Sequence, residues 1–215
     1  REVHQKAAVL YRKQTRFQLI TTGKISQKQL LFEEQHLERL KKASRYFAYP
    51  FNPENLRQKI EKECQVCDVN QDYRLRVTLS KSGEIELSRQ ILAPLSPSFC
   101  KAKLCLQEAD LNQSFTYFKT THRPHLSLGE QEKIYHNAAG GLLETSIGNL
   151  VLKIAGKLYT PPTSLGILPG IYRQHLLETG QVKEKIMTLE DLNQAEAIYG
   201  CSAVRGLYEL EVNSK

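Results

Sequence analysis

The run Tyr73-Arg74-Leu75-Arg76-Val77-Thr78-Leu79-Ser80 alternates apolar and polar residues without a break. Successive side chains of a strand point to opposite faces, so this pattern specifies a strand with one face in a core and the other in polar surroundings. Lys81-Ser82-Gly83-Glu84 reads as a turn and Ile85 opens a return strand, which makes a hairpin. Arg74 and Arg76 share the polar face of that hairpin, facing either solvent or a site.

The rest of the chain mixes short β patterns with helical ones. Phe17 to Thr22 is β-branched and alternating, hence a strand, punctuated by Gly23-Lys24 before a second short strand around Leu30–Phe32. Glu33 and Glu34 open a helix that carries Lys41, Lys42 and Arg45 later, as the helix dipole favours, with Leu37, Leu40 and Phe47 on its core face. Residues 1–16 and 53–64 carry further helical patterns, and Thr188-Leu189-Glu190-Asp191 has the form of a capping box. A helix is also expected over residues 128–136. Strands are expected at 142–146, in a hairpin over 149–160 turning at Ala155-Gly156, at 197–200 and at 206–212. Ala93-Pro94-Leu95-Ser96-Pro97-Ser98 is the best linker candidate.

Composition narrows the function classes. The 215 residues are 40% hydrophobic and 25% charged, ordinary for a globular protein that buries a real core. No apolar run approaches ~18 residues and no signal-peptide pattern is present, so no membrane span is expected and the cytoplasm is the expected location. Five cysteines form no framework, and Cys64-x-x-Cys67 lacks a second pair at zinc spacing. His122-x-x-His125 likewise lacks partner ligands, so no metal is expected. The net charge of +7 is spread along the chain rather than gathered in a stripe. That pattern argues against nucleic acid and suits a small substrate carrying carboxylates.

Phe115-Thr116-Tyr117-Phe118-Lys119 reads as a β-rich aromatic run ending on a lysine, followed by Thr120-Thr121-His122-Arg123. A lysine in half-apolar surroundings loses solvation of its ammonium, which lowers its pKa, as a Schiff-base or general-base lysine requires. Leu142-Leu143-Glu144 puts one carboxylate at the end of an apolar strand, where it needs a partner. Leu168-Pro169-Gly170-Ile171-Tyr172-Arg173 reads as a helix start, and a helix N-terminus with a glycine suits a phosphate.

This series, His36-Leu37-Glu38-Arg39-Leu40, then Lys119, then Glu144 to Asn149, then Gly166 to Arg173, resembles the fold-type IV pyridoxal-phosphate enzymes over nearly the whole chain. Lys119-Thr120-Thr121-His122-Arg123 and Ala203-Val204-Arg205-Gly206-Leu207 are most similar to 4-amino-4-deoxychorismate lyase, in particular the lyase domain fused behind an aminodeoxychorismate synthase. The resemblance implies a two-domain α/β (α+β) fold like that of D-amino-acid aminotransferase, with pyridoxal 5'-phosphate in the cleft. Its expected division is a linker helix at 1–16, a small domain at 17–92, a linker at 93–102 and a large domain at 103–215.

By the same resemblance Lys119 holds the cofactor and acts as base, and Glu144 pairs with the pyridine nitrogen. Arg39, the amides of Ile171 and Tyr172, and Ser202 hold the phosphate, with Asn149 at the rim; on the residues alone Arg39 is equally a surface helix arginine. Many members have a threonine where Tyr172 stands, which leaves the phosphate more dependent on amides, Arg39 and Ser202. Arg76, Arg123 and Arg205 are candidate carboxylate anchors, and Thr21 or Thr22 a candidate aid to proton transfer. The implied reaction converts aminodeoxychorismate to 4-aminobenzoate and pyruvate, in folate biosynthesis, by a homodimer. A first residue of Arg, and no opening hairpin with Asn-Gly and Asp-Arg signals, suggest a piece of a fusion with the synthase. The rivals are an aminotransferase of branched-chain or D-amino acids and a non-catalytic docking domain of a fused synthase.

Overall fold

The computed structural model describes residues 17–107, 114–127 and 129–212; the helix expected over 1–16 lies outside them. The chain divides into two compact units. One comprises residues 1–92 with 118–122, the other residues 93–117 with 123–215.

The first unit is a four-stranded antiparallel sheet under two helices. Its strands are β1 (Leu19–Ser26), β2 (Gln29–Leu30), β3 (Tyr73–Leu79) and β4 (Ile85–Ile91), in the order β2-β1-β3-β4. Leu19, Ile25, Leu75, Val77 and Leu79 are almost fully buried, as the alternation demands. Helix α1 (Glu33–Phe47) buries Leu37, Leu40 and Phe47, and α2 (Pro53–Gln65) starts at Asn52, whose side chain accepts the Asn55 amide. Gly23 does not break β1, contrary to expectation. The strand runs through it because a Cβ there would stand 2.5 Å from His36 Nε2, so only glycine leaves room for the ring.

Residues 118–122 return to this sheet from far along the sequence. Thr120 bridges Leu19 in antiparallel fashion, the Ile20 amide donates to the Lys119 carbonyl at 2.9 Å, and the Thr121 amide donates to the Gln18 carbonyl at 2.9 Å. The segment therefore lines the edge of β1 that β2 leaves open. It is reached through a helical turn, α4 (Ser114–Tyr117), where a strand was expected. Four residues are too few to separate a period of 2 from one of 3.6.

The second unit holds the other eight strands. These are β5 (Lys101–Leu106), β6 (Lys133–His136), β7 (Leu142–Thr145), β8 (Asn149–Ile154), β9 (Lys157–Thr160), β10 (Val182–Glu184), β11 (Ala197–Ser202) and β12 (Gly206–Val212). Their order is β10-β9-β8-β11-β12-β5-β6-β7, and β7 also pairs with β8, so six strands close into a ring. Ile134, Leu142, Leu150, Leu152, Tyr208 and Leu210 build its core with Met187 and Leu192. The helix expected over 128–136 is replaced by β6, which pairs in parallel with β5; with Ile134 and Tyr135 both buried, its pattern does not alternate. Residues 93–102, expected as a linker, carry the short helix α3 (Pro97–Cys100) and the first residues of β5. Helix α5 (Ile171–Glu178) and helix α6 (Leu189–Gln194) complete the unit, the latter with its capping box formed between Thr188 and Asp191.

Candidate active site

In the first unit the pleat decides what Lys119 faces. Phe118 stacks on Tyr46 of α1, with ring centroids 4.5 Å apart, and Thr120 is fully buried. Both lie on the helix side of the sheet, so Lys119 between them projects from the other face. That face also carries Ile20 and Thr22 of β1 and, across the ladder, Arg76, the register partner of Thr22. Of the sequence candidates, Lys119 and Arg76 thus share one face of one sheet. Thr21 does not join them. Its hydroxyl, 2% exposed, shares a 2.6 Å hydrogen bond with His36 Nδ1 on the helix side. Thr22 takes its place as the threonine on the lysine's face.

His36 is 1% exposed, and burial, with the positive charges of Arg39 and Lys119, pushes its pKa down to about 3. The ring is therefore neutral at any ordinary pH, and it lies within electrostatic reach of both cations. Arg39 sits half-buried on α1, one turn beyond His36.

In the second unit Glu144 is 2% exposed and is the register partner of Asn149, the pair through which β7 joins β8 and the ring closes. Between them, the Thr145 amide donates to the Gly148 carbonyl at 3.0 Å and the Gly148 amide to Thr145 Oγ1 at 3.0 Å, making a tight turn. Arg123 stands within electrostatic reach of Glu144 and Tyr135. Burial pulls its pKa down and those two groups push it back up. Arg123, expected as a carboxylate anchor, thus has a carboxylate of the protein itself close by.

Asn149 also reaches the helix start. Its Nδ2 donates to the Leu168 carbonyl at 2.8 Å, and a Cβ on Gly170 would fall 1.9 Å from its Oδ1, so the loop fits only with glycine. Gly170 is the N-cap of α5 and offers no side-chain cap, which leaves the first-turn amides at Ile171 and Tyr172 to other acceptors. Tyr172 packs beside the β11–β12 turn, its hydroxyl 3.5 Å from where a Gly206 Cβ would stand. Ser202 ends β11 at that turn and accepts the Arg205 amide at 3.1 Å, while Arg205 Nη1 donates to the Ala93 carbonyl at 2.5 Å. Asn149, Ile171, Tyr172, Ser202 and Arg205 are thus tied together by one loop and one hairpin.

A further buried group was not anticipated. Glu132, fully buried, accepts from Ser146 and from the Tyr208 hydroxyl. No motif marks it, since its partners come from strands far apart in sequence.

Within the second unit, a buried carboxylate and a helix start lacking a side-chain cap are groups that fit a phosphorylated pyridine. Among the described residues no group of three metal-binding side chains occurs, and no helix is long and apolar enough to cross a membrane. Residues 18–210 match the family model Amino-transferase class IV. The chain belongs to that family. It is a family of fold-type IV enzymes that use pyridoxal 5'-phosphate. Among solved structures, the chain is similar to a Mesorhizobium loti protein provisionally described as an amino-acid aminotransferase. The two are 25% identical with a TM-score of 0.79, over 91% of this chain and 99% of that one. The fold is shared with a Legionella pneumophila protein provisionally described as 4-amino-4-deoxychorismate lyase (20% identity, TM-score 0.71, 92% and 83% coverage). It is also shared with the pyridoxal-phosphate-bound form of a Mycobacterium tuberculosis aminotransferase called hypothetical (16% identity, TM-score 0.76, 91% and 81% coverage).

Proposed function

We propose that this class IV chain is a pyridoxal-phosphate-dependent lyase that converts 4-amino-4-deoxychorismate into 4-aminobenzoate and pyruvate. The observation that carries the proposal is the placement of Lys119: a strapped strand-edge lysine on one face with Thr22 and Arg76. A base and an arginine on one face of a sheet suit a substrate that loses a ring proton and carries two carboxylates.

Pyridoxal phosphate, when bound, supplies an electron sink for the pair left by the departing proton. Lys119 Nζ takes the proton from the ring carbon that bears nitrogen. It then returns a proton to the departing enolpyruvate, which leaves as pyruvate while the ring becomes aromatic. Glu144, a buried carboxylate, would accept a hydrogen bond from the protonated pyridine nitrogen when the cofactor is bound. The Ile171 and Tyr172 amides, Ser202 and Arg39 are the groups that would hold the phosphate, and Arg76 pairs with a substrate carboxylate. Arg123, beside Glu144, and Arg205, bonded to Ala93, are the weaker candidates for the second anchor.

The test is pyruvate release from aminodeoxychorismate by the purified chain supplied with pyridoxal phosphate. Release is expected, and Lys119→Ala should abolish both it and the absorbance of lysine-bound cofactor. Turnover surviving in Lys119→Ala would remove the lysine from its role. Bound cofactor with no pyruvate, but amino-group exchange with keto acids, would favour the aminotransferase reading that the Mesorhizobium likeness suggests.

A further inference from the structure

We propose that Glu132 is the positioning residue of the Glu144–Asn149 arch, setting from inside the strand ring the carboxylate and the amide that seat the cofactor; this rests on the pyridoxal-phosphate reading above. Glu132 is 0% exposed, and its main chain is fixed on both sides. Its amide donates to the Phe99 carbonyl at 2.9 Å, and its own carbonyl accepts the Lys103 amide at 2.9 Å. The side chain enters the ring just ahead of β6 and takes four donors. Oε1 accepts the Ser146 amide at 2.9 Å, the Ser146 hydroxyl in a short contact, and the Lys133 amide at 3.3 Å. Oε2 accepts the Tyr208 hydroxyl at 2.9 Å.

Both oxygens of this buried carboxyl group thus have hydrogen-bond partners, which burial demands. Ser146 lies two residues after Glu144, inside the turn that ends at Asn149. Tyr208 is locked in turn: Cβ atoms on Gly200 and Gly148 would stand 2.3 Å from its ring and 3.2 Å from its hydroxyl. Glu132 thus joins the start of β6, the β7–β8 turn and β12 at the point where the ring closes. An apolar residue would fill the same space at lower desolvation cost, but it would leave the Ser146 hydroxyl without this acceptor and the Ser146 amide with only the Lys133 carbonyl at 3.1 Å, loosening the middle of the turn. Glu132 touches neither substrate nor cofactor in this role; it acts through Glu144 and Asn149.

The experiment titrates pyridoxal phosphate into cofactor-free wild type, Glu132→Ala, Glu132→Gln and Ser146→Ala. It reads the Kd, the pH midpoint of the bound-cofactor absorbance and the Tm of the cofactor-free protein. Glu132→Ala should raise Kd on the order of 10-fold or more and move the midpoint, as loss of an orienting outer group does. Glu132→Gln should restore most of both, because its carbonyl can accept both Ser146 donors. Ser146→Ala should move them in the same direction by less. A Glu132→Ala protein with lowered Tm but wild-type Kd and midpoint would show a mere brace and overturn the proposal. Should that variant fail to fold, wild-type values in Ser146→Ala overturn it instead. Wild type that takes up no cofactor overturns the pyridoxal-phosphate reading itself, whereas uptake with unmoved variants overturns this proposal alone.

Discussion

Burial of His36 beneath β1 ties the first unit to pH in a direction that can be worked out. The unfolded chain protonates this ring near its ordinary value of 6.5, while the folded chain resists until about 3. The folded pKa is depressed, so the unfolded state binds the extra proton first. Stability from the neutral ring is complete above pH 6.5 and is lost as pH falls toward 3, by about 1.4 kcal/mol per pH unit. His36→Gln can keep a hydrogen bond to Thr21 but has no proton to gain. Urea melts at pH 7 and pH 5 should show a smaller loss for the variant than for wild type, whatever its stability at pH 7. Equal losses would mean that His36 is not the group that titrates.

Among the elements, α5 depends on β8 for the position of its first turn. Asn149→Ala would release the Leu168 carbonyl from its 2.8 Å bond and unmake the fit around Gly170. The loss should be about 1–3 kcal/mol in stability, with weaker cofactor binding, read by chemical melts and by cofactor titration. Gly170→Ala should be worse, since its Cβ has no room unless Asn149 moves; a variant as stable as wild type would contradict the close approach. The hairpins, α1, α2 and the capping box at Thr188 could be read from the chain because each is a local pattern. Lys119, Glu144, Asn149 and the start of α5 were legible as motifs of a family. The strand nature of Lys133–His136 was not, because both of its faces are covered by residues distant in sequence, and the helical turn before Phe118 was too short to show a period. The Thr21–His36 and Glu132–Ser146 pairs were equally hidden: a polar residue names no partner until the sheet register is known.

At the scale of the whole chain, the first unit is completed only when a segment about a hundred residues downstream returns to it. Gln18 and Thr121, 103 positions apart, exchange two bonds: the Thr121 amide donates to the Gln18 carbonyl, and the Gln18 amide donates to Thr121 Oγ1 at 2.9 Å. Closing so long a span is entropically costly and kinetically slow, yet it fixes the backbone of Lys119 to a rigid strand rather than to a loop. Thr121 is exposed, so changes there act through these bonds and not through packing. Thr121→Ala removes one of them and Thr121→Pro removes both, while proline still allows Thr120 its extended backbone. The proline variant should lose roughly 1–3 kcal/mol and the alanine variant less. Both should slow refolding more than they speed unfolding if the strap forms before the rate-limiting step, and the reverse if it docks afterwards. In either case the proline variant should show less lysine-bound cofactor absorbance at a given pyridoxal-phosphate concentration. Wild-type stability and absorbance in that variant would show that Lys119 is held by something other than the β1 edge.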